Sequence, residues 1–205
     1  MTFMSKNFII VLAMVFLSSC NNISYTEIIP LAKLAVFGVD DIEIDDNFVA
    51  KQKYSFIKVN VGRTGVAILT LASVKDGVFT WVSATGEKLQ TFNGKIIKSF
   101  DITYDTHFIT FSDFALNENI ESTEYDYNIR LFNPDTLVTQ AATLKIIDSS
   151  PSEGRDTYFE EFVSTRGFKW KFVNKYWLND DGEVTRSIQH LHPMLPKYEI
   201  NFYYK

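Results

Sequence analysis

Two periodicities divide the chain. Between Asn21 and about Asp46, Ile28, Leu31, Leu34 and Ala35 recur at near-helical spacing. Ser24 and Glu27 stand at capping-box separation, and Gly38 is a natural stop. Pro30 forbids one unbroken helix but fits the first turn of a helix starting near Ile29, where its missing N–H would be unbonded anyway. The pattern predicts a short N-terminal helix followed by an acidic loop, Asp40-Asp41-Ile42-Glu43-Ile44-Asp45-Asp46.

From about Tyr54 the period falls to two, as in a half-buried strand. Strand-like segments run over Val66–Ala72, Val78–Ser83, Leu89–Phe92, Lys95–Phe100, His107–Phe111, Tyr125–Phe132, Leu137–Ile147, Lys169–Leu178, Glu183–Leu191 and Tyr198–Tyr203. Asn93-Gly94 is the strongest hairpin signal, because both turn positions tolerate a left-handed backbone. Asn133-Pro134-Asp135 and Asn179-Asp180-Asp181-Gly182 are turns of the same logic. Short turns make sequential antiparallel pairing the natural outcome. The expected fold is all-β and mainly antiparallel, a sandwich or open barrel of about ten strands behind a short N-terminal helix. Ser112–Glu124 and Asp148–Arg155 are the looser connections.

The first twenty residues follow neither pattern. Lys6 supplies a positive charge, Phe8–Leu17 is a ten-residue apolar run, and Ser18-Ser19-Cys20 follows. A run of that length is too short to span a bilayer as a helix, which takes about 20 residues, but it suits the apolar region of a secretory signal. Leu17-Ser18-Ser19-Cys20 resembles the bacterial lipobox, which implies residues 1–19 as a lipoprotein signal peptide and lipidation at Cys20. Two or three acyl chains, at about 0.8 kcal/mol per buried methylene, anchor a protein stably where one does not. Asn21 is not the aspartate that resembles an inner-membrane retention signal, so outer-membrane sorting is expected. Residues 20–205 then form a single periplasmic β-rich domain.

Composition narrows the function. Apolar residues make up 46% of the chain and aromatics 15%, enough for a packed core. The net charge is −5 and Lys6 is the only charged residue before Cys20, so the mature part stands at −6. Such a surface repels phosphate backbones, which argues against nucleic-acid binding. Cys20 is the only cysteine, so no disulfide within the chain is available and packing alone must hold the fold.

The stretch Asn174-Lys175-Tyr176-Trp177-Leu178-Asn179-Asp180-Asp181-Gly182-Glu183-Val184-Thr185-Arg186-Ser187-Ile188-Gln189-His190-Leu191-His192-Pro193 is distinctive. It resembles the closing motif of the group 4 capsule polysaccharide lipoprotein family, the YjbF/GfcB type: an Asn-x-Tyr-Trp strand, an Asp-Gly turn, then Arg-Ser-x-Gln and a proline. Gly38-Val39-Asp40-Asp41, Tyr54-Ser55-Phe56-Ile57, Leu69–Ala72, Trp81-Val82-Ser83 and Gly94-Lys95-Ile96 agree with it in order. The chain departs from it at Lys98-Ser99-Phe100, where the family tends to Thr-x-Gly, and at Thr185, where an aromatic is expected. The resemblance implies an outer-membrane lipoprotein of exopolysaccharide or capsule secretion, and no chemical activity.

Candidate chemistry is sparse. No Gly-x-Ser-x-Gly elbow is present. The three histidines are His107, His190 and His192; the last two would share a strand face and could bind zinc with a third ligand from elsewhere, but no His-Glu-x-x-His is present and such a pair is more often a rim or surface pair, so no metal and no cofactor is expected. Carboxylate pairs able in principle to cleave a glycosidic bond are Asp40-Asp41, Asp45-Asp46, Glu160-Glu161 and Asp180-Asp181, all of a kind more often solvated. Trp81, Trp170 and Trp177 could stack on sugar rings or pack in the core. Arg186 and Gln189, three apart on a strand, face opposite sides, so one is expected inside and the other outside. These five residues are the candidates for glycan or partner binding. The expected function is a non-enzymatic accessory role in exopolysaccharide or capsule export, with polysaccharide or outer-membrane secretion proteins as partners; the rival is a glycan-modifying hydrolase using two carboxylates.

Overall fold

Along the last strand, Tyr198, Ile200 and Phe202 are buried while Glu199, Asn201 and Tyr203 are partly exposed. The same alternation recurs through the computed structural model, which describes residues 42–62, 65–100, 105–108, 114–116, 121–132, 135–148, 156–167 and 169–205. One set of alternate side chains turns inward and the other meets solvent, which bends a sequence of hairpins into a closed surface.

The strands are β1 (Phe56–Val61), β2 (Gly65–Lys75), β3 (Val78–Ser83), β4 (Lys88–Phe92), β5 (Lys95–Phe100), β6 (Thr106–Phe108), β7 (Ser122–Leu131), β8 (Thr136–Asp148), β9 (Thr157–Thr165), β10 (Lys171–Leu178), β11 (Val184–Gln189) and β12 (Tyr198–Tyr203). Each pairs antiparallel with the next, and β1 pairs with β12 from Phe56↔Tyr203 to Val61↔Tyr198. That last pairing closes a twelve-stranded barrel, one step beyond the sandwich or open barrel expected, and it removes both sheet edges.

The two strands beyond the expected ten are β1 and β9. In β9 the inward set is Thr157, Phe159, Glu161, Val163 and Thr165, and the outward set includes Tyr158 and Phe162. An acid inside and aromatics outside mask the period of two. In β1 the outward Phe56 is covered, at 1% exposure, by a helix before it. That helix, α1 (Asp46–Lys51), begins where the acidic loop was expected to end. The Asp45 carboxylate accepts the Phe48 N–H at 2.6 Å, an N-cap, and Phe48 meets Phe56 edge-on at 5.6 Å. The helix expected near Ile29 and the signal segment lie outside the described residues.

The Asn93-Gly94 turn has φ of 46° and 73°, the left-handed pair a tight hairpin needs. A Cβ on Gly94 would also fall 2.6 Å from the Val184 side chain, so glycine is required twice over. Trp81, fully buried, donates its indole N–H to Thr91 Oγ1 at 2.8 Å. The interior is apolar over most of its length, whereas the outer face carries Lys75, Glu124, Asp126, Arg130, Lys145, Arg166, Lys171 and Arg186 exposed. This is the reverse of a membrane-spanning barrel, whose apolar side chains face outward.

Candidate functional site

Two polar arrangements stand out, one sealed inside the barrel and one open on its outer face. Inside, Lys95 on β5 and Glu161 on β9 form an ion pair, at 2% and 0% side-chain exposure. Glu161 also accepts from Tyr125 Oη, from Asn174 Nδ2 at 2.8 Å and from Tyr176 Oη at 3.0 Å. The Lys95 ammonium lies 4.0 Å from the centre of the Tyr127 ring and 4.8 Å from that of Phe114, within cation–π range. Burial opposes the charge on Glu161, but Lys95 and the hydrogen bonds outweigh it and hold the carboxyl below its usual range. Burial pulls Lys95 down, with Glu161 working against that pull. The phenols of Tyr125, Tyr127 and Tyr176 are all driven up by burial and by the Glu161 charge, so they remain protonated, and those of Tyr125 and Tyr176 donate to Glu161.

The β4–β5 turn is tied in the same way. Gln189 Nε2 donates to the Gly94 carbonyl at 2.8 Å and to Ser187 Oγ at 2.9 Å, while its Oε1 accepts the Ile96 N–H at 2.8 Å. These contacts pin β11 to β5 across the interior. Multiple partners on Glu161 and on Gln189 fix the register of these strands.

The open arrangement follows from register. Asp148 pairs with Tyr158, Tyr158 with Trp177, Trp177 with Arg186 and Arg186 with Asn201, so five outward side chains form a row across β8 to β12. The Tyr158 and Trp177 rings stack with centroids 5.0 Å apart and planes 23° off parallel. Arg186 Cζ lies 5.0 Å from the Trp177 ring centre. One step along, Tyr203 stacks on Phe56 at 4.6 Å. Between these stacks runs a groove of about 630 Å³ that Asp148, Asp156, Thr185 and Asn201 also line. Arg186 pairs with Glu199, and Lys175 pairs with Glu160 at 3.3 Å. Thr185 Oγ1 donates to Asp156.

The five residues singled out by sequence therefore separate. Trp177 and Arg186 meet in the groove. Trp81 and Gln189 lie inside the barrel, where packing and backbone hydrogen bonds account for them. As the spacing required, Arg186 is exposed and Gln189 buried. Trp170 lies elsewhere, in an apolar recess of about 440 Å³ with Leu131, Val138, His192 and Met194. Tyr158, Asn201, Tyr203, Asp148 and Asp156 were not singled out, because a row across strands has no signature along the chain.

Among the described residues the paired acids do not form dyads. Glu160 faces outward and Glu161 inward on β9. Asp45 caps α1, Asp180 and Asp181 occupy an exposed turn, and Asp40-Asp41 lies outside the described residues. His190 and His192 fall beyond the end of β11, and no group of three metal-ligating side chains occurs among the described residues. A larger depression of about 900 Å³ lies over Ala141, Thr143 and Ser164, with Phe162 on its wall and the Arg166–Asp126 pair beside it.

Residues 31–202 match the family model described as group 4 capsule polysaccharide lipoprotein gfcB, YjbF. The chain belongs to this family. Its fold is similar to that of the hypothetical lipoprotein YmcC from Escherichia coli (K12), at 15% identity, with a TM-score of 0.66 over 90% of this chain and 98% of that one. Comparison with curated proteins gives no match. The stretch that carried the family resemblance serves both arrangements at once. Asn174 and Tyr176 bind Glu161, Gln189 binds Ser187 and the β4–β5 turn, and Trp177 and Arg186 form the outer row.

Proposed function

We propose that this capsule-family lipoprotein is a non-enzymatic accessory factor of exopolysaccharide or capsule export, held at the outer membrane by lipid on Cys20 and acting by binding glycan in the Trp177 groove. The observation that carries this reading is the row Tyr158–Trp177–Arg186 bordering an open groove on the solvent side, next to the Tyr203–Phe56 stack. Aromatic rings offer apolar surface to sugar C–H faces, while Asn201, Thr185 and Arg186 supply donors for hydroxyls. The sealed Lys95–Glu161 network serves the barrel and not the ligand.

The test is calorimetric titration of the chain with exopolysaccharide purified from the same cells. Saturable heat is expected; its absence at millimolar repeat concentration would turn the search to protein partners in the secretion apparatus. One observation favours hydrolysis as a second reading: Asp148 and Asp156 line the same groove. That reading requires new reducing ends on incubation with the polymer, and their loss in D148N or D156N.

A further inference from the structure

We infer that the barrel mouth beside Trp170 is a binding site for a small neutral amphiphile, an apolar body that enters with a hydroxyl at its inner end. The site is separate from the Trp177 groove and does not rest on the glycan reading. Its recess of about 440 Å³ opens at the end of the barrel where β7 turns into β8 and β9 into β10. That volume lies within the range of small-molecule sites, about 300–1,000 Å³. Leu131 and Val138 line it from buried, inward positions on β7 and β8. Trp170 and Met194 form its outer wall. Met194 is 77% exposed, and its unbranched thioether adapts to whatever it covers. His192 Nδ1 accepts the Met194 N–H at 3.1 Å and so holds that wall in place.

The inner end is polar. Thr165, which lines the recess from β9, stands opposite Gln140, and Gln140 stands opposite Tyr127, so three inward side chains form a row across β9, β8 and β7. Gln140 is the next inward residue after Val138. It is 1% exposed, its Nε2 donates to Thr165 Oγ1 at 3.3 Å, and its Oε1 has no partner among the described residues. Tyr127 Oη, beside it in the row, has none either. Reversing the Gln140 amide would change which of its atoms is left over, not that one is left over. Buried polar groups are nearly always paired, so two unpaired neighbours just inside an open apolar recess mark a position that a ligand completes. A hydroxyl both donates and accepts, and therefore serves Gln140 in either orientation and the Thr165 hydroxyl next to it. The row carries no charge, so an ionised head would lose its hydration without gaining an ion partner. Lys169 lines the recess but is exposed, on the solvent side.

The experiment titrates the full chain, reconstituted in nanodiscs, with 1-octanol and with 1-fluorooctane, which keeps the shape and loses the hydroxyl. Empty nanodiscs supply the blank, and the readout is tryptophan emission. 1-octanol is expected to give a saturable change that W170F lacks. Q140L should weaken 1-octanol about tenfold, the effect of losing one buried partner, and leave 1-fluorooctane unchanged or tighter. T165V is read in the same way where Q140L does not fold. Absence of a saturable change, or a change that W170F retains, overturns the inference. An unaltered affinity for 1-octanol in the folded variant overturns it too, because ordered water then completes the row. Equal losses for both probes do the same, because the substitution then only reshapes the recess.

Discussion

Lys95 and Glu161, 66 residues apart in the chain, meet as an ion pair inside the barrel. Removing one member of such a pair leaves the other charged and unpaired in a low-dielectric interior, at a cost of about 3–5 kcal/mol. K95M should therefore lower unfolding stability by that amount in urea. K95M/E161Q should recover part of the loss, because the amide oxygen can still accept from Asn174 and Tyr176 and its NH2 can donate to Tyr125 Oη, with no stranded charge. Equal stability of K95M and wild type would show that the pair is not sealed.

Acid should weaken the fold in two stages. Burial pushes His107, His190 and His192 below their ordinary value of 6.5, assisted by Lys98 and Arg130 at His107 and by Lys197 at His190. The unfolded chain then takes up those protons first, so stability begins to fall as pH drops below about 6.5. Glu161 is held below its ordinary 4.5, so its contribution is complete above that value and is lost as pH falls through the lower folded value. Urea midpoints measured from pH 7.5 to 3 should show both stages, and the second should be smaller in E161Q.

The β4–β5 turn gives a sharper test of geometry. G94A forces a side chain into a left-handed backbone and against Val184, and each strained residue costs about 1–3 kcal/mol before the clash is counted. Q189A strands the Ile96 N–H and the Gly94 carbonyl, at about 1–3 kcal/mol for each buried group left unsatisfied. Both variants should melt well below wild type. A G94A barrel as stable as wild type would contradict the turn described here.

Membrane attachment rests on one atom in the proposed function, the sulfur of Cys20. C20A should release the protein into the soluble periplasmic fraction. A C20A chain that stays with membranes through salt and carbonate washing would refute lipid anchoring.

The chain disclosed its β-architecture because most strands keep a strict alternation and end at turns with a mechanism. Val78–Ser83, Lys95–Phe100 and Tyr198–Tyr203 fall where the period of two placed them. It concealed β9 because Glu161 takes an inward position that only a distant lysine makes tenable, and pattern alone cannot see Lys95. The closure of the barrel was hidden for a similar reason: β1 meets β12 across nearly the whole described chain. The site was half legible. Trp177 and Arg186 were visible as residue types within a distinctive stretch, but the row that gives them meaning adds Tyr158, Asn201 and Tyr203 from other strands, and only register brings those together. Trp81 looked no different from Trp177 in sequence. Its place on the inward side of β3, with the indole N–H held by Thr91, separates the two.

The most direct test of the Trp177 groove is the affinity of the Y158A/W177A chain for the cell's own exopolysaccharide, measured beside wild type and a W170A control. Binding should weaken at least tenfold, about 1.4 kcal/mol, in Y158A/W177A while its circular dichroism remains that of the barrel, and W170A should bind as wild type does. Unchanged affinity in a folded Y158A/W177A chain would contradict the assignment and move the site elsewhere on the barrel.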